Sequence, residues 1–503
     1  MAAVADGSAL LGIDVGTSAL KGVLVGADGT IQASTAVEYP LLSPRPGWSE
    51  QDPLAWWDAC CRVCRELAAK AKGRIAAVGL SGQMHGSTFL DGKGRPIRPA
   101  LLWNDARTGE QCVEIERRVG VDKLIAIAGN RASAGFQAPK ILWLRQREPE
   151  AFARIEQVLL PKDFIRFRLT GDRATDAADA SGTLLLDLGR RRYSDELLSA
   201  LDIPRAWLPE VFESTEVTGR ISRAGAEATG LPEGIPVVAG GADNACAAVG
   251  AGIIAPGQGV CSIGTSGTIF VHADRPLIDP VGALNGFCAC TPNGWHSMGV
   301  ILSAGGALRW YRDAVMGERA LPEGRDAFDL LIEDAAQIGP GADGVMFQPY
   351  LSGERAPHLD PNARAAWVGL SLAHDRRHMV RALIEGVGFA LADCLSRMRR
   401  MGAEPPGLVL VGGGARSPMW RRLLAAQLGL ALEIRSAQEG PALGAAILAA
   451  VGAGIEPDLA TAVARAVPLR GHLEQPDPDL ALTYRELHGR WARLYPALQA
   501  ALA

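Results

Sequence analysis

Apolar and polar positions alternate along this chain in two rhythms. Short apolar runs closed by glycine predict strands at residues 10–15, 75–80, 237–239, 259–263 and 408–411. Residues 20–25 read as the hairpin partner of the first strand, and a third strand follows Asp28 and Gly29. Apolar positions at helical spacing predict a long helix over residues 52–72, carrying Trp56 and Trp57, and another from Met419. Residues 121–173 read as helical, with Asp163 as a cap and Lys162 either on the surface or at a site. Residues 440–455 are uncharged, rich in Gly and Ala, and shorter than the ~20 residues of a bilayer span. They predict a buried helix.

The pattern restarts halfway. VGTS at Val15 to Ser18 returns as IGTS at Ile263 to Ser266, each at the turn of a strand hairpin. AAVGAG at Ala247 to Gly252 returns at Ala449 to Gly454, each time closing a helix of small residues. Such helices can approach closely, so a crossing near Gly250 and Gly452 is expected to act as a hinge at a domain seam. At 503 residues the chain exceeds the size of one core, and two domains are expected, over 1–254 and 255–503.

Composition narrows the partners. Charged residues make up 21%, the net charge is −4 and basic runs are absent, which disfavours nucleic acid and anionic membranes and favours a small polar ligand. The start lacks a signal-peptide pattern, so a cytoplasmic protein is expected. Nine cysteines without a secretion signal argue for reduced thiols, and Cys60, Cys61 and Cys64, on a helical pattern, read as packing. His374 and His378 have no Glu between them as in a zinc protease and read as a solvated helix start.

Chemistry concentrates at strand ends. In VVAGGADNACAAVGAG, Gly240 and Gly241 turn the chain from strand to helix and leave one acid, Asp243, at the turn. A carboxylate there either accepts a proton from a substrate hydroxyl or caps the helix. Gly16, Thr17 and Ser18 can offer amides and hydroxyls to a phosphate while Asp14 holds hydrated Mg²⁺, although hairpin chemistry explains the same residues. His85, in SGQMHG, is expected to be exposed at the carboxyl end of its strand. LLWNDAR delivers Asn104 and Asp105 beside Trp103, a combination suited to a hydroxyl-rich sugar, with an Asp105–Arg107 loop salt bridge as the alternative. Gly412, Gly413 and Gly414 permit close approach of a nucleotide, without the GxGxxG or P-loop pattern.

Two phosphate hairpins, a glycine-rich turn and paired small-residue helices resemble the duplicated RNase H-like fold of the actin, Hsp70 and sugar-kinase superfamily. Within it the chain resembles the FGGY carbohydrate kinases, through WSEQDP at Trp48, GQMHG at Gly82, LWND at Leu102, APKILW at Ala138, LLPKDF at Leu159, GGADNA at Gly240, YLSGERAPH at Tyr350 and GGGARS at Gly412. The likeness spans nearly the whole chain. It implies an α/β fold of two RNase H-like domains with a cleft between them: 1–254 carries the sugar site, the first phosphate hairpin and the catalytic Asp, and 255–503 the second hairpin and the adenosine site.

By the same resemblance Asp243 is the catalytic base. Met84, His85, Trp103, Asn104, Asp105 and Asn244 are the sugar side, and Asp14 holds Mg²⁺ through water. Gly16, Thr17, Ser18, Gly264, Thr265, Ser266, Gly413, Gly414 and Ser417 bind ATP. The motifs are most similar to those of members that phosphorylate D-xylulose; ribulose, glycerol and gluconate are the alternatives. A non-catalytic ATP switch on the same fold would need an added binding module, and none is expected here. The resemblance leaves monomer and homodimer open.

Overall fold

The computed structural model describes residues 7–317, 326–435, 440–467 and 471–502. Strands β1 (Ala9–Val15), β2 (Ala19–Gly26) and β3 (Ile31–Glu38) form an antiparallel meander, and helix α1 (Pro53–Lys70) returns the chain to β4 (Ile75–Gly82), parallel to β1. Asp52 starts α1 by accepting the Leu54 amide at 2.9 Å, with Pro53 preorganised in the first turn. Cys60 and Cys64 lie on the buried face of α1, their sulfurs 3.8 Å apart, as packing residues. Beyond α2 (Gln137–Arg147), α3 (Pro161–Thr170) and α4 (Ala177–Ala180), strands β5 (Val217–Arg220), β6 (Pro236–Val238) and β7 (Gly241–Ala242) complete the first sheet, in the order β5-β6-β4-β1-β2-β3 with β7 beside β4.

Helix α5 (Asp243–Gly250) leads to the second sheet, which uses β8 (Gly259–Ile263), β9 (Gly267–Ala273), β10 (Asn285–Cys288) and β11 (Trp295–Ile301), followed by helices α6 (Gly305–Trp310) and α7 (Arg376–Arg400). Strand β12 (Gly407–Gly412), helix α8 (Pro418–Leu428), strand β13 (Ala431–Ile434), helices α9 (Gly440–Gly452) and α10 (Leu459–Ala466) and strand β14 (His472–Glu474) follow. The order is β10-β11-β9-β8-β12-β13-β14. In each sheet a central strand has an antiparallel hairpin partner on one side and a parallel strand on the other, β1 between β2 and β4, β8 between β9 and β12. The sequence echo VGTS/IGTS is therefore a structural repeat. Among the described residues no helix is long and apolar enough to cross a membrane.

Three sequence expectations change here. Residues 121–173 are interrupted by a strand at Gln157–Leu159, which pairs with Thr88–Leu90. Asp163 lies inside the first turn of α3, behind Leu160 at the cap position, and Lys162 is fully buried, 2.6 Å from Asp163 and 2.8 Å from Asp176. A lysine amine enclosed by carboxylates can stay charged in a core; an unpaired one cannot. His378 likewise starts α7, in a capping box with Asp375, but is buried rather than solvated.

The third change concerns the small-residue helices. Helix α9 is distant in sequence from the first sheet yet lies on it: a Cβ on Gly12 would fall 1.9 Å from the Ala442 carbonyl oxygen, and one on Gly79 1.8 Å from that of Ala445. The same helix crosses α5, where a Cβ on Gly444 would meet the Cys246 carbonyl oxygen at 1.9 Å and one on Gly250 that of Gly440 at 2.2 Å. Gly452 is not in this crossing. It sits against the Thr215 carbonyl and Val238, so its lack of a side chain serves the sheet edge.

Candidate active site

Strands β1, β4 and β7 end side by side, and their ends deliver Asp14, the Gln83–His85 turn and Asp243. Asp243 is the first residue of α5, after Ala242 at the cap position; among the described residues its Oδ1 accepts only the neighbouring Asn244 amide, at 2.7 Å. The capping alternative therefore loses its basis, since a cap must reach an amide two or three residues on. Burial, then the nearby negative charge of Asp14, push the Asp243 carboxyl up to about 7. Burial also raises Asp14, to about 6, against the Ser81 hydroxyl that donates to its Oδ1 at 2.9 Å.

The first hairpin turn is held from all sides. The Tyr39 hydroxyl and Gln83 Nε2 donate to the Gly16 carbonyl, and Gln51 Nε2 donates to that of Thr17 at 2.6 Å. Trp103 Nε1 donates to Thr17 Oγ1 at 2.9 Å, which ties the LWND loop to this turn. A Cβ on Gly16 would lie 3.7 Å from Asp14 Oδ2, so the carboxylate oxygen not engaged by Ser81 faces the turn. An oxygen so placed beside the Gly16–Ser18 hairpin turn fits hydrated Mg²⁺, a hard cation that takes oxygen ligands and keeps its waters.

His85 corrects the expectation of exposure. Its backbone is left-handed, φ 67°, and its ring lies against Phe136 at 4.7 Å and against Phe287 of β10 at 5.9 Å. Nδ1 donates to the Gly182 carbonyl at 2.7 Å, which fixes the tautomer and leaves Nε2 as an acceptor. Burial lowers the ring to about 3, so it is neutral at physiological pH. Lys140, the lysine of APKILW, holds this turn by donating to the His85 carbonyl at 2.9 Å and to that of Gly135. Desolvation brings Lys140 down to about 7. The sequence reading missed Gln51, Gln83, Lys140 and Phe287; three stand in motifs already quoted, while Phe287 left no local signal.

The remaining sugar-side residues divide. Asn244 donates to Met298 Sδ at 3.4 Å, and its buried Oδ1 has no hydrogen-bond partner among the described residues, which leaves it free to accept from a ligand hydroxyl. Asn104 and Trp103 are exposed. Met84 is buried, 5% exposed, with its Cε beside the His85 ring at Gly182. Asp105 is also corrected: its carboxylate is fully enclosed, taken by Arg107 at 2.7 Å and by the Ser49 amide at 2.7 Å, so the loop salt bridge describes it.

On the second sheet, Gly264, Thr265 and Ser266 form the β8–β9 turn, braced by the Ala304 and Gly306 amides on the Thr265 carbonyl and the Gly305 amide on that of Gly264. Side chains are excluded there, because a Cβ on Gly305 would stand 2.6 Å from the Gly264 oxygen. Gly413 is exposed, with no atom closer than 4.0 Å to its Cβ position, and leaves room for a ligand. Gly414 is buried on Ile263, with 2.6 Å for an added Cβ, and so serves packing. Ser417 spends its hydroxyl on the N-terminus of α8, accepting the Trp420 amide at 3.1 Å. Neither offers a free side chain to a nucleotide.

The comparisons place the fold in a family. Residues 9–250 match the model of the FGGY family of carbohydrate kinases, N-terminal domain, and residues 259–453 that of the C-terminal domain. The chain is 40% identical to the xylulose kinase of Escherichia coli (strain K12), over 98% of this chain and 100% of that protein. Its fold is similar to the crystal structure of xylulose kinase from Rhodospirillum rubrum, with TM-score 0.92 and 30% identity over 98% of this chain and 99% of the other. The gluconate kinase from Lactobacillus acidophilus is as similar in fold, with TM-score 0.92 and 28% identity over the same shares. Two family models covering both sheets, on a chain whose strand ends carry the site described above, give one conclusion: the chain belongs to the FGGY family of carbohydrate kinases.

Proposed function

We propose that this carbohydrate kinase transfers the γ-phosphoryl group of ATP to O5 of D-xylulose, giving D-xylulose 5-phosphate and ADP, with Asp243 as the base. The observation that carries the reading is the state of Asp243: a carboxylate at the end of β7, beside Asp14, that does not cap its helix and whose proton affinity lies near neutral pH. A general base with these properties can take the hydroxyl proton as the oxygen attacks phosphorus. His85 Nε2 and Asn244 Oδ1 accept sugar hydroxyls, and Asn104 and Trp103 close the sugar side. The turns at Gly16–Ser18 and Gly264–Ser266, with Gly413, hold the nucleotide. Asp14 would hold Mg²⁺ through water; bound there, the cation neutralises charge on the phosphoryl group.

Phosphoryl transfer is loose, so positioning and electrostatics supply most of the rate. The two sheets bring one phosphate turn each, and closing the cleft between them aligns donor and acceptor. The test is an ATP-coupled assay of the purified enzyme with D-xylulose, D-ribulose, glycerol and gluconate, with the product identified by mass and NMR. The highest kcat/KM is expected for D-xylulose, with phosphate on O5. A higher value for any of the other three would overturn the substrate assignment.

A further inference from the structure

The sequence motif YLSGERAPH has no part in the chemistry above, yet the fold carries it to the site. Its Glu354 Oε1 accepts the Leu302 amide at 3.1 Å and the Arg355 amide at 2.7 Å, and the Ala356 amide donates to the Val300 carbonyl at 3.2 Å. Those contacts latch the loop onto the end of β11. Met298, two residues before Val300 and so on the same face of the strand, accepts from Asn244, the neighbour of Asp243. Ile301 pairs with Gly267, the first residue past the second phosphate turn, and β10, the other neighbour of this strand, carries Phe287 against His85. Arg355 therefore springs from a point flanked by the nucleotide turn, the base and the sugar histidine.

Its guanidinium makes no hydrogen bond or ion pair with any described residue, although the side chain is half-buried. Burial without a counter-ion disfavours its charge, and that charge in turn opposes protonation of His85. A half-buried arginine with no counter-ion is partly stripped of water, and an anionic partner that arrives with the substrate restores what its charge has lost. The free sugar is neutral; the group that moves onto it is not.

We infer that Arg355 is a further catalytic residue that receives the transferred phosphoryl group, contacting its oxygens during transfer and on the sugar phosphate product. Arginine suits the task, because its planar fork donates to two phosphate oxygens at once. The chemistry is unchanged: the bond from the γ-phosphorus to ADP breaks, the bond to the sugar oxygen forms, and Asp243 takes the proton. Arg355 neutralises charge on the moving group. This inference rests on the sugar-kinase reading but not on which sugar is preferred.

The test compares Arg355→Gln and Arg355→Lys with the unaltered enzyme, using the best acceptor and its phosphate. Arg355→Gln is expected to lower kcat by about 10²- to 10³-fold. Inhibition by the sugar phosphate should weaken at least about tenfold while KM for the free sugar stays within about threefold, since only the phosphorylated form carries the partner charge. Arg355→Lys should lie between. A kcat within about threefold of the unaltered value, or equal losses for free and phosphorylated sugar, would overturn the inference. Mapping phenylglyoxal labelling of Arg355 in the unaltered enzyme avoids any folding defect: protection by the sugar phosphate and not by the sugar supports the inference, and equal protection, no protection or no labelling contradicts it. Failure of the unaltered enzyme on D-xylulose but not on another polyol would strike the substrate assignment alone.

Discussion

Trp103 Nε1 donates to Thr17 Oγ1 at 2.9 Å, across 86 residues of chain, and so joins the LWND loop to the first hairpin turn. Gln83 reinforces the joint, contacting Thr17 on one side and preceding Met84 and His85 on the other. On the proposed assignment, a change in the LWND loop reaches the nucleotide turn through two hydrogen bonds. Trp103→Phe keeps the ring and removes the donor. A single hydrogen bond contributes about 0.5–1.5 kcal/mol net, so KM for ATP should rise about two- to tenfold in steady-state kinetics, and any lowering of that KM by sugar should shrink. An unchanged ATP KM would show that the joint does not matter.

His85→Ala should act on the sugar alone. Removing a buried acceptor leaves the hydroxyl it served unpaired, and KM for the sugar should rise at least about tenfold while KM for ATP stays within about twofold. In the unaltered enzyme the ring is neutral well below physiological pH, because burial holds it near 3. The His85 ring resonances, followed by NMR, should therefore not titrate between about pH 6 and 8, where an exposed histidine would. A ring titration near about 6.5 would place His85 in solvent.

How much of this was legible in the sequence depended on how far apart the partners lie. The β1–β2 and β8–β9 hairpins, the strand before Asp243 and the helix α9 are specified by residues adjacent to one another, and the glycines that stop each strand mark them. Asp105, Lys162, Ser417 and Gly452 were misjudged because the role of each is set by what surrounds it in space. Asp176, which meets Lys162, is 14 residues away, and the Ser49 amide on Asp105 is 56 away. His85 was read as exposed and is half-buried, since Phe287 reaches it from the second sheet. The family resemblance named the motifs; it did not say which members of a motif face a ligand and which hold the backbone.

The helix crossing gives a prediction that differs from one drawn on repeats alone. Gly444→Ala places a methyl 1.9 Å from the Cys246 carbonyl oxygen, so α5 and Asp243 must move. Overpacking of this kind costs about 1–3 kcal/mol or more, and Tm should fall by several degrees, with kcat falling further than ATP affinity. Gly489→Ala is the control, since nothing lies within 4 Å of its Cβ position. It should melt at or slightly above the unaltered temperature, and equal behaviour of the two variants would remove the crossing from the account.

Asp243 should also be visible in the pH dependence of stability. Its carboxyl is raised from 3.8 to about 7 by folding, so its favourable contribution is present below pH 3.8 and is lost as pH rises through 7. Asparagine has no such loss. Relative to the unaltered enzyme, Asp243→Asn should gain stability between about pH 4 and 7 and hold that gain above, measured by denaturant unfolding without nucleotide or Mg²⁺. A gap that narrowed with rising pH would mean that Asp243 is stabilised as an anion, not strained.

The turnover of Asp243→Asn tests the central claim most directly. Asparagine keeps the shape of the side chain and its contact with the Asn244 amide but cannot accept the hydroxyl proton. Loss of a general base costs ~10²- to 10⁴-fold, so kcat for D-xylulose should fall at least about 100-fold at pH 7.5, with ATP affinity unchanged and Tm equal or higher. A kcat within about threefold of the unaltered enzyme would contradict the account and leave Asp243 without a chemical role.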